Sequence, residues 1–231
     1  MRRIVVALLG ATVLSVTAAQ AADMPVKAPV YTPPPIVMYK WTGLYVGING
    51  GGAWGRSHHN FDSAGTTTGN YNISGGLVGG TLGYNWQTGS AVFGLEGDID
   101  WANIKGSANC PNPAFSCGTK DSWLGTFRGR VGYAGWDRVL LYVTGGLAFG
   151  DIKAEVSTLP GGSTTRAGWT VGGGIEYGFA PNWSVKAEYL YVDLGSFDCG
   201  TNCSGAGGGS DNVNFTANIV RGGLNYRFWT F

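Results

Sequence analysis

The stretch Ala91-Val-Phe-Gly-Leu-Glu-Gly-Asp-Ile-Asp-Trp-Ala-Asn-Ile104 alternates with period two. Phe93, Leu95, Ile99 and Trp101 fall on one parity, and Glu96, Asp98 and Asp100 on the other. In a strand successive side chains point to opposite faces, so this stretch has one face without charge and one that is acidic. The pattern recurs along the chain. Trp123, Phe127, Val131 and Tyr133 oppose Arg128 and Arg130, while Trp169, Val171, Ile175 and Tyr177 oppose Glu176. Val185, Tyr189 and Tyr191 oppose Lys186 and Glu188, and Val220, Leu224, Tyr226 and Phe228 oppose Arg221 and Arg227.

Working outward from these segments, the chain divides into eight expected strands, at 41–54, 73–86, 91–104, 122–133, 139–150, 168–179, 183–192 and 214–228. The breaks at 87–90, 134–138 and 180–182 are hairpin-sized, whereas those at 55–72, 105–121, 151–167 and 193–213 read as long loops. Alternating short and long connections are the habit of up-and-down transmembrane barrels, with short periplasmic turns and long outer loops. An even strand count returns both ends of the barrel to the periplasm. A soluble β-sandwich also alternates, with its charges facing water. Three features favour the membrane reading: the loop asymmetry, an export signal, and the placement of aromatic residues.

Aromatics on the uncharged parity gather at strand ends, where amphipathic rings prefer the headgroup zone. Tyr84, Trp86, Phe93, Tyr133, Tyr177, Phe179, Trp183, Tyr226 and Phe228 adjoin the short turns; Trp54, Trp101, Trp123, Phe149, Trp169 and Tyr191 adjoin the long breaks. No charge falls on this parity within the strands, where Arg or Lys at the bilayer midplane would cost roughly 2–4 kcal/mol. The expected fold is therefore all-β, an eight-stranded antiparallel up-and-down transmembrane barrel with a filled polar interior. Eight strands enclose a lumen that side chains can fill. Glu96, Asp98, Asp100, Glu176 and Glu188 should pair there with Arg128, Arg130, Lys186, Arg221 and Arg227. Inward glycines at 43, 47, 51, 79, 83, 172, 174 and 178 would leave some space, which keeps a narrow conducting path open as a reading.

The N-terminus carries Arg2 and Arg3, an apolar run over 4–16 and small residues at Ala19-Gln20-Ala21, the form of a cleaved signal peptide over 1–21. Residues 22–40 are proline-rich, including Pro33-Pro34-Pro35, and read as an extended periplasmic leader before the barrel domain at 41–231. Composition agrees: 41 of 231 residues are glycine, and charged residues, at 13%, are scarce. A net charge of +1 argues against a nucleic-acid partner. Cys110, Cys117, Cys199 and Cys203 form two close pairs, which in an exported chain suggests disulfides. Three connectivities are open, and a zinc site would use similar pairs. Catalytic chemistry is thin: the histidines, His58 and His59, are adjacent in a glycine-rich stretch with Ser57 and Asp62 nearby. No enzyme activity, cofactor, metal or catalytic residue is expected.

The sequence resembles the small outer-membrane barrels of alphaproteobacteria, the group of the Brucella outer-membrane immunogenic proteins and rhizobial RopB. The marks are Ala-Ala-Asp-Met-Pro-Val-Lys-Ala-Pro at 21–29, Trp-Thr-Gly-Leu-Tyr-Val-Gly at 41–47, and Gly168-Trp169-Thr170 leading to Glu176-Tyr177. Others are Asn182-Trp183-Ser184, Lys186-Ala187-Glu188-Tyr189 and Gly223-Leu224-Asn225-Tyr226-Arg227-Phe228. The resemblance implies a Gram-negative outer-membrane protein that supports envelope integrity and surface interactions, with a porin-like role as the alternative and lipid A modification as a remote one. Its partners would be outer-membrane lipid and lipopolysaccharide, the barrel assembly machinery, and host or phage surface molecules. Val220, Gly222, Leu224, Tyr226 and Phe228 form a terminal alternation similar to the signal that machinery reads. Here Trp229-Thr230-Phe231 continue past it and put Phe231 out of register.

Overall fold

The computed structural model describes residues 39–61, 66–67, 69–109, 116–156, 162–198 and 211–228. The expected signal peptide, most of the leader, Cys110, Cys199, Cys203 and Phe231 lie outside them, and only the backbone of Cys117 is described. The strands are β1 (Gly43–Phe61), β2 (Thr66–Thr67), β3 (Tyr71–Thr88), β4 (Ala91–Asn109), β5 (Ser116–Trp136), β6 (Val139–Val156), β7 (Gly162–Ala180), β8 (Trp183–Asp198) and β9 (Asp211–Arg227). Each long strand pairs antiparallel with its neighbours, and β9 pairs back onto β1 over 45–61, closing an eight-stranded barrel. β2 is a two-residue strand paired with the far end of β1 at Asn60 and Phe61.

Two-residue turns join β3 to β4, β5 to β6 and β7 to β8. This is the turn end of the barrel, and Leu44 and Phe228 meet there through a 2.8 Å backbone hydrogen bond. The opposite end is the loop end.

The strands run well past the expected boundaries. The eight long ones are 16 to 21 residues long, whereas about 9–11 tilted residues cross a bilayer. Most of 55–72, 105–121 and 151–167, and both ends of 193–213, read from the sequence as loops, are strand. The reason is a reversal of polarity beyond the loop-side aromatics. There the outward residues become polar, as at Arg56, Asn72, Ser74, Asn103, Lys105 and Ser107, while the inward ones become apolar. Outside lipid the wall is built as an ordinary barrel, apolar within and polar without. A search for an uncharged outward face stops where the lipid stops, but the hydrogen-bonded ladder does not.

A bulge between Asp121 and Leu124 on β5 shifts parity so that Thr119 and Asp121 also face inward. The start of β1 differs too. Trp41 precedes the strand, and it is buried to 1% exposure rather than placed on the wall.

Between the girdles the wall shows lipid-type exposure, with Ile48, Val78, Ile99, Phe127, Val143 and Val171 all on the outside. Glycines occur on both faces, with opposite meaning. A Cβ on Gly97, which faces out, would find its nearest neighbour, the Thr126 carbonyl, at 3.8 Å. A Cβ on Gly79, which faces in, would collide with the Asp100 carboxylate and the Ile99 carbonyl. Gly97→Ala is therefore expected to fold with unchanged heat-modifiable gel mobility. Gly79→Ala should lose about 1–3 kcal/mol in denaturant unfolding, as overpacked sites do.

Candidate functional site in the barrel lumen

The lumen is filled in three layers. Nearest the turn end, Tyr39 and Trp41 pack with Val92, Ala134, Leu140 and Tyr142. Arg227 lies over both rings, 5.0 Å from that of Tyr39 and 4.8 Å from that of Trp41, and its guanidinium donates to the Lys40 carbonyl at 2.6 Å. The Trp41 amide donates to Gln87 Oε1 at 2.7 Å, and the Tyr39 hydroxyl to the Trp183 carbonyl at 3.3 Å. The segment before β1 is thus turned into the mouth as a stopper, tied to the end of β9 by cation–π contact.

The middle layer is ionic. Barrel register sets Glu96 directly opposite Arg128 on β4 and β5, and Glu188 opposite Arg221 on β8 and β9. Other pairs cross the lumen. Arg128 reaches Glu188 at 3.0 Å, and Lys186 Nζ contacts Glu96 at 3.0 Å from the diametrically opposed strand. Arg221 contacts Asp100 at 2.7 Å, Glu188 at 2.8 Å and Asp98 at 3.0 Å. Arg128 also holds Asp98 at 2.7 Å, and donates to Glu96.

Arg130 bridges Glu176 at 3.2 Å and Glu96 at 3.5 Å, and sits between the rings of Tyr45 and Tyr142 at 4.9 and 5.0 Å. Those tyrosines complete the net, donating to Glu96 at 2.7 Å and to Glu188 at 3.1 Å. Glu176 accepts from Ser184 and from Asn225, and Arg227 approaches it only to 4.0 Å. Arg227 belongs chiefly to the stopper. None of Glu96, Asp98, Asp100, Glu176, Glu188, Arg128 and Arg221 exceeds 8% exposure, so each charge is compensated by protein.

The third layer is mainly apolar, with the buried carboxylate of Asp121 among its members. From the loop-side girdle outward, Ile73, Leu77, Ile104, Leu124, Ile152, Leu190, Val192, Leu194, Phe215 and Ile219 form one cluster. Above it the hydroxyls of Tyr71 and Ser57 lie 2.6 and 3.3 Å from Thr119 Oγ1.

The inward glycines do not leave the space expected of them. The sites a side chain would take are occupied by the Tyr45 ring at Gly83, Tyr39 at Gly178, Tyr142 at Gly174 and Asn225 at Gly47. Sequence reasoning missed the tyrosines, the stopper and the apolar layer. Part of the signal was present: Trp41 and Tyr45 share parity with the inward glycines of β1, and Leu190 with Lys186 and Glu188 on β8.

Among the described residues no group of three or more His, Cys, Asp or Glu is placed to hold a metal. The side chains of His58 and His59 lie outside those described. The arrangement as a whole packs a lumen.

The family model for the outer membrane protein beta-barrel domain matches residues 7–228. The chain is 39% identical to the 31 kDa outer-membrane immunogenic protein of Brucella melitensis biotype 1, over 92% of this chain and 94% of that one. It is 33% identical to the 22 kDa outer membrane protein of Rhizobium leguminosarum bv. viciae, over 81% and 78%. Among solved structures it is similar to the outer membrane protein OprG from Pseudomonas aeruginosa, with 14% identity, a TM-score of 0.49, and 81% and 97% of the two chains covered.

Proposed function

The chain belongs to the outer membrane protein β-barrel domain family, and from that premise we propose that it is a sealed structural and surface barrel of the envelope, neither a pore nor an enzyme. The observation that carries this reading is the set of ion pairs crossing the lumen from β8 to β4 and from β5 to β8, closed above and below by apolar layers. A solute path would have to break several buried charge pairs at once, and leaving a single buried charge unpaired costs about 3–5 kcal/mol. The inward glycines, whose sites are filled by neighbouring side chains, remove the main argument for a pore. The turn end, with both ends of the barrel, faces the periplasm, and the loop end presents the polar outer wall to the surroundings. The description of the relatives as immunogenic supports surface exposure.

Planar-bilayer recording on the folded protein is the test. No stable openings are expected, and reproducible single-channel steps would overturn the reading. Lipid A should keep its acyl pattern when the protein is removed, since the lumen lacks an exposed nucleophile; an altered pattern would revive a lipid-modifying role.

The proposed partners follow from this placement: outer-membrane lipid around the wall, and host or phage molecules at the loop end. The assembly machinery meets the end of β9, where Val220 and Phe228 face outward.

A further inference from the structure

The strand register places three lysines side by side on the outer wall. Lys105 on β4 is directly opposite Lys120 on β5, and Lys120 is directly opposite Lys153 on β6. All three have outward parity. Lys105 and Lys153 each stand two outward positions beyond a girdle ring, Trp101 and Phe149 respectively. Four residues of tilted strand raise them about 9 Å above that girdle. Like charges directly opposite on neighbouring strands repel, and little on the protein offsets them. Asp151 lies 3.7 Å from Lys153, but among the described residues neither Lys105 nor Lys120 has an ion pair. Arg56, exposed on β1 one outward position beyond the girdle ring of Trp54, adds a fourth cation on the same side. The far side of the barrel differs: the outward positions of β7, β8 and β9 beyond the girdle, including Thr165, Asp193 and Thr216, carry no Lys or Arg.

A second feature lies nearer the turn end on β3, β4 and β5, of which β4 and β5 also carry the row. Gly80 and Gly97 lower the lipid-facing wall into a groove of about 690 Å³, lined by Leu82, Leu95, Ile99 and Phe127. Lysine ammoniums at headgroup height above an apolar trough match one kind of occupant, an amphiphile with phosphate above and acyl chains beneath.

We propose that the Lys105–Lys120–Lys153 row is a binding site for the phosphorylated headgroup of an anionic lipid in the leaflet at the loop end, with an acyl chain lying in the groove at Gly80 and Gly97. One phosphate between two adjacent ammoniums replaces repulsion by charge-assisted hydrogen bonds. The inference rests on the wall being lipid-embedded with its loop end outward, but not on the lumen being closed. Its test is therefore separate from conductance.

The full-length folded protein in a zwitterionic detergent is titrated with bisphosphorylated lipid A, and binding is read from the fluorescence of its tryptophans. Each lysine near an anionic headgroup contributes a factor of about five. The triple variant K105Q/K120Q/K153Q should therefore bind about a hundredfold more weakly, with the wild-type affinity falling as salt rises. All three positions are on the polar outer wall, so heat-modifiable mobility should be unchanged, which separates lost binding from lost fold. Dephosphorylated lipid A should bind wild type and variant alike, and weakly. A triple variant within twofold of wild type, or equal wild-type affinity for the two lipids, would overturn the proposal. So would simple displacement of the lipid by millimolar inorganic phosphate, which would mark a free-anion site instead.

Discussion

Replacing Arg128 with alanine is expected to be among the most damaging single changes in the barrel, lowering stability by about 3–5 kcal/mol. The reason is the environment it would leave behind. Arg128 is fully buried and engages Glu96, Asp98 and Glu188 together. Its removal strands three carboxylates, for which Lys186, Arg130 and Arg221 supply only partial compensation. The cost measures an unpaired buried charge and not the net worth of the pair, since well-packed apolar replacements of whole ion pairs are often neutral. This distinction gives the experiment a second arm. Glu188→Gln removes one carboxylate from the same cluster, so the double variant R128A/E188Q should lose less than the sum of the two single changes. Denaturant unfolding in detergent, followed by gel mobility and tryptophan fluorescence, measures all three. Additive losses would mean that the network does not act as a unit.

Trp41→Ala should have an effect of similar size, about 3–5 kcal/mol for deletion of a buried indole. Trp41 is 1% exposed, holds Gln87 through its backbone amide, and supplies one of the two rings over which Arg227 lies. Its loss opens a cavity at the turn end and weakens the tie between the start of β1 and the end of β9, the two strands that close the barrel. Hydrogen exchange should rise first in the β3–β4 and β7–β8 turns and at the β1–β9 seam. Conductance should stay absent, because the ionic and apolar layers above the stopper still fill the lumen. A conducting Trp41→Ala variant would make the stopper the seal and the other layers permeable. Unchanged stability would mean that residues 39–41 merely rest on the mouth.

Much of this barrel was legible before any fold was drawn. Glu96, Asp98 and Asp100 on one parity, with Phe93, Leu95, Ile99 and Trp101 on the other, state which face meets lipid. A period of two allows no third option. The same rule identifies ten of the interior charges and the eight crossings, and misses Asp121, which a bulge turns inward. It failed where the solvent changed. Past Trp101 the outward residues become Asn103 and Lys105, while Ala102 and Ile104 turn inward, so a rule written for lipid read strand as loop.

The sequence by itself determined the faces, because alternation is a local property of an extended chain. Only the closed tertiary structure decided the partners. Which carboxylate meets which guanidinium depends on register around eight strands and on side chains long enough to span the lumen. Lys186 is directly opposite Glu176 along the wall, yet its ammonium reaches across to Glu96. The stopper and the lysine row arise in the same way. Tyr39 and Trp41 meet Arg227 only because closure brings the two ends of the barrel together, and Lys105, Lys120 and Lys153 become neighbours only through the pairing of β4, β5 and β6. Residues far apart in the chain acquire their chemistry from the register that sets them side by side.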